Sequence, residues 1–141
     1  DTNGSLLMNM RSYFGRKQRT HAVSRDGGVT WSSPVDVPKL IEPVCQGSII
    51  RFQWRRPTRP GILLFSNPAS KQGRVKMTVR ASFDDGNTWP VARVLHAGPA
   101  AYSCLVSLPE NAFGCLYESG ESHAYESIVF HRLPGSALQL P

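Results

Sequence analysis

An eight-residue pattern occurs twice in this chain and constrains its fold more than any other feature. Ser24-Arg25-Asp26-Gly27-Gly28-Val29-Thr30-Trp31 and Ser82-Phe83-Asp84-Asp85-Gly86-Asn87-Thr88-Trp89 both read S-x-D-x-G-x-T-W, and the second begins 58 residues after the first. The unit carries its own physics. Aspartate accepts hydrogen bonds from backbone N–H groups in a turn. Glycine supplies a positive φ at the sharp point. Tryptophan folds back as an apolar plug. Asp26 and Asp84 therefore read as structural clips and not as catalytic acids.

Between the copies, the apolar residues alternate with a period of two. Val75, Met77, Val79, Ala81 and Phe83 point one way, and Lys76, Thr78, Arg80 and Ser82 the other, which predicts a strand. Leu6, Met8 and Met10 alternate in the same manner, as do Ile50, Phe52 and Trp54. The continuous run from Ile62 to Phe65 predicts a strand buried on both faces. Further strands follow at Val106 to Leu108, Phe113 to Tyr117 and Ile128 to Phe130, punctuated throughout by glycine and proline. No segment of helical length has a 3.6-residue period, so the chain reads as all-β.

Charge and cysteine content narrow the function. Sixteen Lys and Arg against ten Asp and Glu give a formal charge of +6, all of it within residues 1–70. Its densest part, Arg51 to Arg59 (RFQWRRPTR), is a basic stretch around Trp54. No nucleic-acid motif accompanies it, so it reads as a solvated loop and no nucleic-acid partner is expected. No apolar run reaches the ~18 residues of a membrane helix. Cys45, Cys104 and Cys115 lack zinc-ligand spacing and read as buried thiols, with a Cys104–Cys115 disulfide left open. His21, His96, His123 and His131 form no metal motif, and no nucleotide-binding loop occurs, so neither metal nor cofactor is expected.

The two octapeptides resemble Asp-boxes, the repeats of sialidases and related β-propellers. In such propellers the box joins strands three and four of a four-stranded blade. The resemblance then sorts the strands into part of a six-bladed propeller, with one complete blade between two partial ones. The first blade would hold Ser5–Tyr13, Gln18–Arg25 and Trp31–Val37. The second would hold Gln46–Phe52, Gly61–Ser66, Val75–Phe83 and Trp89–Leu95. The third would hold Ser103–Leu108, Phe113–Tyr117 and Glu126–His131. Blade boundaries fall near 38–45 and 96–101. The structural residues of the boxes are Ser24, Asp26, Gly28 and Trp31, then Ser82, Asp84, Gly86 and Trp89.

The rim opposite the boxes carries the more specific likeness. Leu7-Met8-Asn9-Met10-Arg11-Ser12 resembles the segment with the second arginine of a sialidase triad. Leu64-Phe65-Ser66-Asn67-Pro68-Ala69 followed by Gly73-Arg74 is similar to the segment with the third. Gly98-Pro99-Ala100-Ala101-Tyr102-Ser103 resembles the segment of the nucleophilic tyrosine, Leu116-Tyr117-Glu118 a family glutamate segment, and Tyr125-Glu126-Ser127-Ile128 the last motif. The resemblance implies the C-terminal part of an exo-α-sialidase acting on sialylated glycans with retention. Arg11 and Arg74 would bind the sugar carboxylate, because arginine forks match it bidentately. Tyr102 would attack the anomeric carbon, since a neutral phenol escapes repulsion by that carboxylate. Tyr13, Tyr117 and Tyr125 have weaker claims. Glu118 would steady a triad arginine. Arg80 lies mid-strand beside a box and is rejected as the alternative to Arg74.

The resemblance also asks for a first arginine, an aspartate general acid and a tyrosine-activating glutamate, which it places upstream of Asp1. Glu42 lies between blades and does not replace that glutamate. This piece alone is therefore expected to be inactive, and no signal peptide is visible in it. A secreted or periplasmic parent agrees with the resemblance. Cys104 departs from the small or acidic residue often found after Tyr-Ser. Two other readings stay open: a sialic-acid-binding propeller without catalysis, and a structural Asp-box propeller.

Overall fold

The computed structural model describes residues 4–138. Nine strands form two antiparallel sheets. β1 (Leu6–Met10), β2 (Gln18–Ser24) and β3 (Val35–Ile41) make the first. β4 (Ser48–Gln53), β5 (Ile62–Pro68), β6 (Val75–Ser82), β7 (Val91–Leu108), β8 (Ala112–Ser119) and β9 (Ser127–Pro134) make the second, in sequence order. A short 3-10 turn, Gly135–Leu138, follows. The chain is all-β and forms part of a propeller, with one complete four-stranded blade between two three-stranded portions.

The second blade passes into the third along one continuous strand. β7 runs unbroken for 18 residues through the expected boundary at 96–101. Its first half pairs with β6 as far as Val75 opposite Pro99, and its second half pairs with β8 from Ala100 opposite Ser119. The two strands expected over Trp89–Leu95 and Ser103–Leu108 are thus one strand that changes partner. Pro99 marks the exchange: it has no N–H to donate, while its carbonyl accepts from Gly120 N at 3.1 Å. The fourth strand of the first blade also differs, starting at Val35 rather than Trp31 and running on to Ile41. It begins just past Pro34, as β7 begins just past Pro90; neither proline has an N–H to donate to a ladder.

Every residue of β5 is buried, as its apolar run predicts. Ile62 and Leu64 face one cluster with Met77, Val79, Phe113 and Cys115. Leu63 and Phe65 face another with Leu40 and Trp89. One strand thus fills the layers on both sides of its blade.

The two boxes close by the same bonds. Ser24 Oγ donates to Asp26 at 2.8 Å and Ser82 Oγ to Asp84 at 2.8 Å, while each serine accepts from its glycine N–H, Gly28 or Gly86, at 2.8 Å. Asp26 and Asp84 accept from Thr30 N at 2.9 Å and Thr88 N at 2.8 Å. Trp31 and Trp89 each donate Nε1–H to the glycine carbonyl at 3.1 Å. Gly86 has φ +95, and a Cβ there would stand 2.9 Å from Leu7 Cδ2, so the turn needs glycine twice over. The plugs differ in burial: Trp89 is 5% exposed between two sheets, whereas Trp31 is 37% exposed.

All three cysteines are free. Cys104 pairs with Leu116 and Leu105 with Cys115 across β7 and β8. The one-residue offset points Cys104 and Cys115 to opposite faces, which excludes the disulfide. Cys45 and Cys115 are buried as expected, but Cys104 is exposed, because its face of β7–β9 is uncovered, with Val106, Leu116 and Phe130 exposed beside it. Burial pushes the Cys115 thiol up to about 11.

Candidate active site

The residues singled out on the rim opposite the boxes come from strand ends and their loops. Arg11 follows β1, Arg74 precedes β6, Tyr102 lies within β7, Glu118 lies near the end of β8, and Tyr125 stands in the β8–β9 loop. Tyr102 is 43% exposed. The Arg74 guanidinium stands over its ring at 5.6 Å and donates to Tyr125 Oη at 2.6 Å. Arg11 stacks on Tyr13 at 4.8 Å and lines a cleft of about 340 Å³ together with Asn9, Arg19, Gln46 and Tyr102. That volume lies at the low end of the ~300–1,000 Å³ of small-ligand sites. The structure therefore brings Arg11, Arg74 and Tyr102 to one place.

Glu118 meets the backbone of Tyr102. Its carboxylate accepts from Tyr102 N at 2.9 Å, and the ion pairs among the described residues join it to neither arginine. It fixes the tyrosine's backbone. Arg80 is partly buried in mid-strand, where its Nη1 meets Asn67 Oδ1 at 3.5 Å, away from Arg74 at the strand's start.

Three residues that sequence reasoning did not place in the site hold this end of the fold together. Gln46 Nε2 donates to Ser103 O at 3.0 Å and its Oε1 accepts from Ser103 N at 2.9 Å, so one side chain imitates a strand beside Tyr102. Arg19 and Glu42 form an ion pair at 2.8 Å with side chains 3% and 0% exposed. Glu42 also accepts from Ser12 N at 2.8 Å, next to Arg11. Arg19 donates to Asn9 Oδ1 and to Cys45 O, both at 2.7 Å. No local pattern could have shown that Arg19 would be buried against a partner 23 residues away.

Three groups near this rim or in the boxes are held deprotonated. Burial, with the Arg19 charge adding to it, lowers His21 from 6.5 to about 4. Backbone N–H bonds from Glu121, His123 and Ser122 lower Glu126 from 4.5 to about 2, clipping the β8–β9 loop. Gly120 is required inside that clip, since a Cβ there would fall 2.0 Å from His123 O. The Thr30 hydroxyl and N–H, then Ser24, lower Asp26 from 3.8 to about 2. In each case the folded value is the lower one, so the unfolded chain binds more protons on acidification. Each group stabilises fully above its ordinary pKa and loses that contribution as pH falls through its folded value. The melting temperature is expected to fall steadily from pH 6.5 to about 2, with His21 acting down to about 4 and the carboxylates below 4.5. Glu126→Gln should flatten the lower limb. A melting temperature independent of pH over this window would contradict the assignment.

Among the described residues, no three His, Cys, Asp or Glu side chains converge to hold a metal ion, and no helix is long and apolar enough to cross a membrane.

Comparison with known proteins gives the family. Residues 1–116 match the model of the BNR repeat-like domain. The sialidase of Micromonospora viridifaciens is 41% identical over 138 residues, covering 95% of this chain and 21% of that protein. A Hadza microbial sialidase superposes with TM-score 0.80 at 35% identity, over 96% of this chain and 26% of the other. The NanB sialidase of Streptococcus pneumoniae, 21% identical, shares the fold with TM-score 0.83 over 96% of this chain and 22% of its own. The chain thus spans between 21% and 23% of the first two sialidase sequences it matches. With paired boxes, propeller sheets and a family match over residues 1–116, the chain belongs to the sialidase family with BNR repeats.

Proposed function

We propose that the full-length protein is a retaining exo-α-sialidase, which hydrolyses terminal sialic acid through a tyrosyl-enzyme intermediate. The observation that carries this reading is Arg74 standing 5.6 Å over the exposed Tyr102 ring, in the rim that also holds Arg11. Arg11 and Arg74 bind the sugar carboxylate. Tyr102 attacks the anomeric carbon as the bond to the aglycone oxygen breaks; the phenolic proton passes to a base, and the departing aglycone takes a proton from a general acid. Water then cleaves the tyrosyl–sugar bond, which restores the original configuration and returns the proton to the tyrosine. Sialidases with a tyrosine nucleophile are a recognised exception to the two-carboxylate scheme of glycosidases. Glu118 serves by holding the Tyr102 backbone, and Tyr125 by holding Arg74.

The general acid, the first arginine and the activating glutamate belong to sequence outside these residues on this reading. Glu42 is no substitute for the base, being fully buried and paired with Arg19. The full-length protein should release a fluorogenic aglycone from a sialoside, with the α-anomer of sialic acid appearing first by NMR. The 141-residue chain alone should release none above buffer. A β-anomer first product, or turnover by this chain alone, would overturn the mechanism.

A further inference from the structure

The basic stretch around Trp54 is left without a role by the chemistry above. It follows β4 and forms a tight hairpin, in which Arg56 N donates to Arg59 O at 2.9 Å and Arg59 N to Arg56 O at 3.1 Å. Residues directly opposite in such a pair project to the same side. Two like charges are thereby set side by side, an arrangement that destabilises a hairpin. No acidic side chain among the described residues pairs with Arg55, Arg56 or Arg59. Trp54, at the base of the hairpin, is 61% exposed. Arg51 lies over its ring at 5.4 Å and is itself anchored to Asp85 at 2.5 Å. One ring face is therefore covered and fixed, and the other is free.

The hairpin stands at the box end of the blade. Arg55 donates to Phe83 O at 3.2 Å, within the second box, and Arg51 reaches Asp85 there. Arg74 lies at the opposite end of β6, an eight-residue strand whose length is ~25 Å.

We infer that Trp54, Arg56 and Arg59 form a second binding site, remote from the catalytic rim, for a glycan chain bearing several carboxylates. The free Trp54 face stacks on a sugar ring, and the paired guanidinium groups take carboxylates on neighbouring units. The choice of an acidic glycan rests on the sialidase reading above, whose substrate carries the same carboxylated sugar. Engagement of both ends raises avidity without new contacts at the catalytic rim. Single-stranded nucleic acid fits less well, because it is gripped by a series of aromatic platforms, whereas this hairpin offers one.

The test uses the full-length protein with Tyr102→Phe, so that the polymer survives, and polysialic acid as the probe, followed by fluorescence anisotropy. Arg56→Gln with Arg59→Gln should weaken polymer binding about tenfold, the loss expected for charge-assisted contacts. Trp54→Ala should weaken it further. In the Tyr102-intact protein, Arg56→Gln with Arg59→Gln should leave turnover of a monovalent fluorogenic sialoside within about twofold, since these exposed side chains lie far from Tyr102. Unchanged polymer affinity overturns the inference. So does equal binding of a carboxyl-reduced polymer, or tighter binding of a single-stranded oligonucleotide that depends on the same arginines. Absence of sialoside turnover by the Tyr102-intact protein would refute the sialidase reading, while the hairpin is judged on polymer affinity alone.

Discussion

Replacing Tyr102 with phenylalanine in the full-length protein is expected to lower kcat for sialoside hydrolysis by at least about 10³-fold, the scale of losing a nucleophile. The substitution removes the atom that forms the covalent bond and little else. The aromatic ring remains beneath the Arg74 guanidinium, now 5.6 Å away, and the Glu118 bond is to the backbone N–H, which phenylalanine keeps. Carboxylate binding should therefore persist and KM should move by no more than a few-fold. Tyr125→Phe is the informative contrast. It removes the 2.6 Å bond to Arg74 and should act mainly on KM. Measuring kcat and KM separately for the two variants checks the assignment. If Tyr102→Phe retains wild-type kcat, Tyr102 is not the nucleophile.

The second large effect is on stability. Glu42→Ala should destabilise the protein by about 3–5 kcal/mol, the cost of leaving a buried charge without its partner. Arg19 is 3% exposed, and burial already lowers its pKa against the opposing pull of Glu42. Removing Glu42 also frees Ser12 N and Cys45 N, which donate to it at 2.8 and 3.3 Å. Because Ser12 adjoins Arg11, the same variant should raise KM for a sialoside. Replacing both partners with apolar residues, Arg19→Met with Glu42→Leu, should recover part of the stability, since it removes the orphaned charge but leaves Ser12 N and Cys45 N without their acceptor. Urea denaturation of the three proteins tests this. A Glu42→Ala protein within about 1 kcal/mol of wild type would show that the pair is not the anchor of this connection.

Much of the architecture was legible because its causes are local. The Asp-box turn needs its serine, aspartate, glycine and tryptophan within eight positions, and both copies close with matching bonds. The apolar run of β5 announces burial on both faces. Prolines 34, 90 and 99 were also visible, but what each does depends on where the neighbouring ladder ends. That is why the start of β3 and the continuity of β7 differed from expectation. The site divides in the same way. Arg11, Arg74 and Tyr102 are proposed from the likeness of the segments around them. Gln46, Arg19 and Glu42 are not, since each acts on a partner distant in sequence: Gln46 on Ser103, Arg19 and Glu42 on one another.

The sequence by itself determined an all-β chain and two boxes, because alternation and turn chemistry are set within a few residues. Only the tertiary structure decided which charges are surface and which are structural. Arg19 and Arg59 sit in equally basic stretches, yet one is 3% exposed on a buried carboxylate and the other stands in solvent on a hairpin. The difference is set by which distant backbone and side chains each arginine meets when the blades pack, and that depends on the fold as a whole.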